Sequence, residues 1–599
     1  MSSQEQSSAH AFWTQPEGWP KLSLAQVEAQ LCAPGERFEM ETCTIRGVPT
    51  RTWKHAPRSL RHLADHARGH GDRLMTIYED ERVTYEAWYR AVAHMARALQ
   101  SRAIGKGDRV ALAMRNLPEW SAAFFAATSI GAICVPLNAW WTGDELAFGL
   151  ENSGARLLIC DAERWERIAP HCGQCPALSD IWVSRAALPM KGGDPVKGAG
   201  SVTEAEPLEA IIGAPGDWGR LPADSIPDIE LAPDTHATIF YTSGTTGQPK
   251  GALGTHRNLV TNIFSSAYAA ARSALRRSDA IPPAAAKVGL TVIPLFHVTA
   301  CSAGLMGQLF AGHTIIYMHR WDPLKAFAII EREKVNIAGG VPTIAWQMLE
   351  HPARGQYDLS SLESIAYGGA PAAPELVRAI YDEFKAMPGN GWGMTETMAT
   401  VTSHTAEDYL NRPESCGPPV PVSDLKVTDE NGALLPIGSV GELWARGPQT
   451  VVGYWNRPGA SAETFVDGWV RTGDLARIDE EGFCYIVDRA KDMVIRGGEN
   501  IYSSEVENVL YDHPAVTDAA VIGIAHRTLG EEPAAIVHLA PDKTATEREL
   551  QDWVAARLAK FKVPTRVAFW PQTLPRNANG KILKKDLKAT FEDRSGPAE

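Results

Sequence analysis

Between Thr84 and Cys160 the apolar pattern changes period repeatedly, and that alternation limits what the chain can fold into. Trp88, Val92, Met95 and Leu99 recur at helical spacing, Gly105-Lys106-Gly107 interrupts them, and Val110 to Met114 is an unbroken apolar run. The run has the length and composition of a buried strand. Thr142-Gly143-Asp144-Glu145 has capping-box spacing and opens a further helix, which leads to the apolar strand Leu157 to Cys160. Helices alternating with strands buried on both faces predict a layered α/β architecture with mostly parallel sheets.

A chain of 599 residues exceeds what one hydrophobic core organises, so at least two domains are expected. Hydrophobic residues at 44% and charged residues at 22% are those of an ordinary globular protein, which excludes global disorder. With 58 basic against 71 acidic residues the net charge is −13, the wrong sign for a broad nucleic-acid or anionic-membrane surface. The nine cysteines are scattered and odd in number, which argues against a disulfide framework. The N-terminal MSSQEQSSAH lacks the basic flank and apolar core of a signal peptide. Trp120 to Gly143 carries no charge, but Ser121, Thr128, Ser129, Pro136 and Asn138 mark it as a buried helix running into a buried strand, not a transmembrane span. The expected location is the cytoplasm.

Residues 1–55 show no sustained periodicity and read as an extension lying on the domain that follows. Pro189 to Asp234, rich in Gly, Pro and Ala, reads as surface loop. Near the C-terminus the capping box Thr546-Glu547-Arg548-Glu549 opens a helix whose apolar face is Leu550, Trp553, Val554 and Leu558, within a small α+β domain. There is no internal repeat and no heptad pattern.

The densest chemical signal is Tyr241-Thr242-Ser243-Gly244-Thr245-Thr246-Gly247-Gln248-Pro249-Lys250-Gly251, placed behind the strand-like run Ala237 to Phe240. Hydroxyls and glycine amides on a tight loop supply donors for phosphate oxygens, and Lys250 adds a positive charge. The spacing is not that of the G-x-x-x-x-G-K-[ST] loop, so Walker-type machinery is not indicated. His171 and Cys172-Gly173-Gln174-Cys175 have metal-ligand side chains, but no second CxxC follows at zinc-site spacing.

The phosphate-loop segment resembles the signature of the adenylate-forming enzymes: acyl-CoA synthetases, aryl-CoA ligases, firefly luciferase and peptide-synthetase adenylation domains. The resemblance continues in order from about Leu60 to Leu587. Gly391-Trp392-Gly393-Met394-Thr395-Glu396 looks like the second nucleotide motif, with Trp392 where Tyr is usual. There the aromatic ring stacks on adenine, Thr395 contacts the α-phosphate and Glu396 helps to hold Mg²⁺. Tyr367-Gly368-Gly369-Ala370-Pro371 resembles the strand and turn beside adenine and the acyl pocket, and Thr472-Gly473-Asp474 the segment whose aspartate binds the ribose. In Asp488-Arg489-Ala490-Lys491-Asp492 the resemblance gives Arg489 a ribose contact and makes Lys491 the hinge between domains. Pro294-Leu295-Phe296-His297 matches a segment whose histidine lies between acyl pocket and thiol tunnel, where it positions and gates before any proton transfer. Pro575 to Lys581 matches the motif of the catalytic lysine, and Gly498 in Arg496-Gly497-Gly498-Glu499-Asn500 the glycine that lets pantetheine pass.

The resemblance therefore implies a large α/β adenylation domain over residues 56–489 and a small mobile α+β domain over 490–599. It implies Lys581, Thr395, Glu396 and His297 as catalytic residues. It also implies ATP, Mg²⁺ and coenzyme A as cosubstrates and cofactor, and a monomer or homodimer. CoA is favoured as acceptor because the chain is a single ligase-sized unit, has no appended carrier domain, and Ile501 to Glu507 has the CoA-ligase form. Loading of a carrier protein or an amine stays open. Loss of Lys250, Glu396, Asp474, Arg489 or Lys581 would have indicated a non-catalytic binding protein, and all five are present. Small residues at Ala300, Ser302, Ala303, Gly304, Gly339, Gly340 and Ala399 suggest a roomy apolar cavity, suited to a fatty acid or a bulky aryl or alicyclic acid.

Overall fold

The structure is a computed structural model and describes residues 18–186, 205–242, 249–277, 280–281, 285–369, 372–497, 499–577 and 581–592. The alternating region forms the helices and strands its periodicity predicts. Thr84 caps helix Tyr85–Ser101 by accepting from the Ala87 amide, and Trp88, Val92, Met95 and Leu99 are all fully buried. Every residue of helix Pro118–Ser129 is buried, which explains the uncharged stretch without a membrane. No helix among the described residues is long and apolar enough to cross a bilayer.

Among the described residues the large domain is built on two eight-stranded sheets. In the first, His236–Thr242, Ile133–Pro136, Arg109–Ala113, Leu157–Asp161 and Asp180–Ser184 lie parallel side by side. Lys250–Thr255 and then Gly453–Tyr454 extend its edge antiparallel. The second sheet has a parallel centre formed by Met387–Gly391, Ser364–Gly368, Ile337–Gly340, Val288–Thr291, Thr314–Tyr317 and Leu74–Tyr78. Helices Tyr85–Ser101, Pro118–Ser129 and His256–Arg276 supply the main core, with Trp88, Trp120, Phe124, Phe125 and Phe264 at its centre. Parallel strands need such helical crossovers, and the burial they provide is the principal stabilising term.

A further five-stranded sheet contains Gly441–Arg446, Trp469–Ile478 and Cys484–Arg489. After the turn at residues 490–492 the chain enters the small α+β domain, whose five-stranded sheet is centred on Gly530–Leu539, with Val516–His526 at its edge. Helices Ser503–Tyr511 and Glu547–Ala555 cover it through Val506, Leu510, Leu550 and Val554. The capping box at Thr546 and Glu549 forms as the sequence predicts.

Two stretches differ from the sequence reading. Residues 18–55 are not aperiodic: Ser23 and Gln26 form a capping box on helix Leu24–Leu31, and Met40–Ile45 pairs with Val48–Trp53 as a hairpin. Phe38 packs edge-on with Trp53 and with Phe264 and Tyr268 of the long helix, and Trp53 Nε1 donates to Ser265 Oγ at 3.2 Å. The elements are too short to display a period, and what orders them is tertiary packing. In the expected loop, residues 205–234 contain helix Leu208–Ile212 and a 3₁₀ turn whose Trp218 is completely buried. Cys172 and Cys175 are buried beneath Leu146, Ala147 and Ile168. Burial pushes their thiols up to about 12 and about 11, so neither forms a thiolate near neutrality.

Candidate active site

The phosphate-loop segment joins two antiparallel strands, with Thr242 directly opposite Lys250. That is a hairpin, not the strand-to-helix passage of a Walker loop. Ser243, Gly244, Thr245, Thr246 and Gly247 lie outside the described residues, as do Ala370, Pro371 and Gly498. Lys250 is anchored at the strand start, and its ammonium lies 5.0 Å from the ring centroid of Tyr454 on the neighbouring edge strand.

Gly391 ends a strand of the second sheet, and Gly393-Met394 folds back antiparallel on Ala399-Thr400. A Cβ on Gly393 would fall 1.3 Å from the carbonyl oxygen of Ala399, and one on Gly391 2.8 Å from that of Thr402. Glycine is required at both positions by this close approach. The fold-back presents Thr395 and Glu396 on the 3₁₀ turn Thr395–Thr397, which Thr397 Oγ1 closes by donating to the carbonyls of Met394 and Ala399. Glu396 is buried, and its Oε1 accepts a 2.6 Å hydrogen bond from the Tyr454 hydroxyl. Burial pushes this carboxyl above the usual range, against the hydroxyl of Tyr454 and the charges of Lys250 and Arg489. A buried carboxylate oxygen of this kind fits Mg²⁺, which takes hard oxygen ligands and fills its octahedron from phosphates and water. Among the described residues no group of three or more His, Cys, Asp or Glu side chains is placed to hold a metal ion.

Trp392 points at Asp474: its Nε1 donates to Asp474 Oδ2 at 2.8 Å. Asp474 and Arg489 face each other in register on adjacent antiparallel strands, with Arg489 Nε 3.4 Å from Asp474 Oδ1. Gly473 has φ +69°, and its carbonyl accepts from Ala490 at 3.0 Å, tying this turn to the segment that leads to Lys491. Gly369, at φ +80°, ends the Tyr367 strand, whose hydroxyl bonds to that of Tyr409.

The Lys581 amide donates to Asn577 Oδ1 at 3.0 Å, and its carbonyl accepts from the Asn577 amide at 2.9 Å. Arg576, next to Asn577, is locked to Asp518 at 2.6 Å. The Lys581 ammonium is buried with no hydrogen-bond partner among the described residues. Burial, then the charges of Arg489 and Lys491, bring it down to about 7, with Asp492 and Asp474 acting in the opposite direction. Lys581, Lys491, Arg489, Asp474 and Trp392 thus converge from two domains. The turn at Arg496 bonds within the small domain instead, with the Gly497 amide donating to Leu529.

The His297 ring lies 4.5 Å from that of Phe296. Burial brings its imidazole down to about 3, and Nε2 has no partner among the described residues, so it is a neutral group. Of the small residues expected to line an acyl cavity, Ala300 and Ser302 are buried in the core, with Ser302 Oγ accepting from Asn262 at 2.8 Å. A Cβ on Gly339 would lie 1.9 Å from the Ala366 carbonyl, so main chain fills that space, whereas one on Gly340 would meet the tip of the Ile344 side chain at 2.7 Å. Ala303 and Gly304 are half-buried, and a Cβ on Gly304 would meet nothing closer than 3.6 Å.

Sequence reasoning missed Tyr454. It is 58 residues from Glu396 and reaches it only through strand pairing, so spacing along the chain gave no sign of the contact.

A nucleotide site built from these motifs, between a large α/β domain and a small α+β domain, is the arrangement of an adenylate-forming ligase. Residues 63–455 match the AMP-binding enzyme family and residues 505–581 the AMP-binding enzyme C-terminal domain, and the chain belongs to that family. It is 35% identical to a feruloyl-CoA synthase of Amycolatopsis over 509 residues, covering 85% of this chain and 94% of the relative. It is 34% identical to the long-chain-fatty-acid–CoA ligase FadD13 of Mycobacterium tuberculosis over 514 residues, covering 86% and 94%. The o-succinylbenzoate CoA synthetase of Bacillus subtilis, solved with its acyl-adenylate, superposes with a TM-score of 0.69 at 30% identity, covering 88% of this chain and 97% of that one.

Proposed function

We propose that the chain converts a carboxylic acid, ATP and CoA into acyl-CoA, AMP and pyrophosphate. In the first step a carboxylate oxygen attacks the α-phosphorus and the bond to pyrophosphate breaks. In the second the CoA thiol attacks the acyl carbonyl, AMP leaves, and the thiol proton passes to solvent. The observation that carries the reading is the buried Lys581 ammonium, without a hydrogen-bond partner among the described residues, beside the charges of Asp474, Arg489 and Lys491. A cation so placed stabilises negative charge gathered between acid and α-phosphate. Lys250 holds the other phosphates, Trp392 and Asp474 receive adenine and ribose, and Thr395 lies beside Glu396 for the α-phosphate. Glu396 would hold Mg²⁺, which supplies neutralisation of phosphate charge.

Lys581 fills the place a thiol would need, so the small domain rotates about Lys491 between steps and brings the Arg496–Asn500 turn, with Gly498, to the site. Neutral His297 positions and gates the acyl end. The acid is a medium- or long-chain fatty acid or a bulky aryl or alicyclic acid, in keeping with the feruloyl and long-chain relatives.

The test is pyrophosphate release from MgATP over a panel of such acids, with and without CoA, and with Lys581→Ala as control. A CoA-dependent thioester seen by mass spectrometry and lost in the variant supports the reading and identifies the acid. Adenylate without thioester transfers the acceptor to a carrier protein or an amine.

A further inference from the structure

Tyr454 touches both charged groups on which phosphate binding depends. Its hydroxyl donates to Glu396 Oε1 at 2.6 Å, and its ring lies 5.0 Å from the Lys250 ammonium. The residue is itself held on several sides. Its strand pairs with the one Lys250 begins, placing Tyr454 opposite Ala252 and Gly453 opposite Leu253. Its amide donates to Ser461 Oγ at 2.8 Å, and its ring meets Phe465 edge-on at 5.5 Å. Three residues earlier the Val451 amide donates to the Glu396 carbonyl at 3.0 Å, so the same segment grips Glu396 by main chain and side chain. Tyr454 is 9% exposed, and water does not compete for these contacts.

We propose that Tyr454 is a positioning residue for MgATP, fixing the Glu396 carboxylate for the metal and the Lys250 ammonium for the phosphates. The inference rests on the reading above, in which those two residues receive the metal and the phosphates. A carboxylate with one oxygen held by a buried hydroxyl keeps a single rotamer, so the other oxygen is presented in a fixed direction. The ring gives the lysine an apolar, electron-rich face, which holds a cation without neutralising it. The two contacts are separable. Tyr454→Phe removes the hydroxyl and keeps the ring, whereas Tyr454→Leu removes both.

The test is equilibrium binding of ATP by calorimetry with no acid and no CoA present, in excess Mg²⁺ and again in EDTA. In wild type, Mg²⁺ strengthens binding. Tyr454→Phe is expected to weaken binding in Mg²⁺ about tenfold, the size of one charge-assisted hydrogen bond, and to leave binding in EDTA unchanged. Tyr454→Leu is expected to weaken both, by a further few-fold through Lys250. In a Glu396→Gln background the Tyr454→Phe effect should disappear, since the hydroxyl acts through that carboxylate. Equal loss with and without Mg²⁺, an undiminished effect in the Glu396→Gln background, or no loss at all would each overturn the proposal. If Tyr454→Phe does not fold, Ser461→Ala, which releases the Tyr454 amide, should show the same selective loss in Mg²⁺, and its absence counts against the proposal. Wild type that binds MgATP but turns over no acid would sink the ligase reading and leave this one standing. Wild type indifferent to Mg²⁺ sinks this one.

Discussion

The indole Nε1 of Trp392 lies 2.8 Å from Oδ2 of Asp474, joining the aromatic face expected for adenine to the carboxylate expected for ribose. Arg489 approaches the other oxygen of the same carboxylate, with its Nε 3.4 Å from Oδ1. Asp474 is nearly buried, so its orientation is settled by these two donors before any nucleotide arrives. Tyrosine, the usual residue at position 392 in the resemblance, has no indole N–H. Trp392→Phe keeps a stacking face and removes the donor. It is expected to weaken AMP binding about tenfold or more, the range of one hydrogen bond to a charged group. Calorimetric titration with AMP checks this, and titration with 2′,3′-dideoxy-AMP should show a smaller difference between variant and wild type.

Lys581 gives a pH signature. Its ammonium titrates at about 7 in the nucleotide-free protein. An ordinary lysine titrates near 10.4. The folded value is depressed, so the penalty for a charged Lys581 is full below about pH 7 and is relieved as pH rises towards about 10, which makes the nucleotide-free protein gain stability over that window. Bound phosphate favours the charged form and draws a proton in. ATP binding at about pH 8.5 should therefore take up a substantial fraction of a proton, read from calorimetry in buffers of different ionisation enthalpy. Lys581→Met should abolish the uptake.

Gly393 is a point where backbone geometry and chemistry meet. A Cβ there would overlap the Ala399 carbonyl at 1.3 Å. Gly393→Ala must open the pairing of residues 393–394 with 399–400, the fold-back that presents Thr395 and Glu396. The expected cost is about 1–3 kcal/mol of stability, as for other overpacking changes. Pyrophosphate release should fall by far more than the loss of folded protein explains. Urea unfolding and steady-state rates measured on the same preparation separate the two.

The buried pair Arg276–Asp408 joins two helices of the large domain, and Arg276 also takes the N-terminal segment's contacts, donating to the Leu22 carbonyl at 2.9 Å. The two side chains are 2.9 Å apart and each 2% exposed, and Trp19 lies over the guanidinium at 5.2 Å. Asp408→Asn leaves Arg276 buried without its counter-charge. Such losses cost about 3–5 kcal/mol, to be read from urea unfolding, whereas converting both residues to apolar ones should cost less.

The parts of this protein that were readable from sequence are those where one short window holds the whole signal. The face of Trp88, Val92, Met95 and Leu99 and the run Leu157 to Cys160 are decided by their own periodicity, and each is buried as that periodicity requires. The helix Leu24–Leu31 and the hairpin after it were not readable, because what orders them is contact with Phe264, Tyr268 and Ser265 more than 200 residues away. Tyr454 escaped for the same reason. Gly339 was ambiguous because a small residue signals either open space or a close neighbour, and only the fold reveals the Ala366 carbonyl against it.

Lys491 offers the sharpest separation of the two half-reactions. It lies in the turn at residues 490–492, between strand Cys484–Arg489 of one sheet and strand Val494–Arg496 of the other. The amides on either side are engaged: Ala490 donates to Gly473, and Asp492 and Met493 both donate to Arg489. The amide of Lys491 itself donates no hydrogen bond among the described residues, so proline at this position removes none. Proline fixes φ near −65° and would deny the turn the wide dihedral change that the proposed rotation of the small domain requires. Lys491→Pro is therefore expected to keep acid-dependent pyrophosphate release within a few-fold of wild type and to lose thioester formation by at least two orders of magnitude. Single-turnover measurement of both products from one reaction decides it. Loss of both together would place Lys491 in the adenylation step, and retention of both would move the hinge elsewhere.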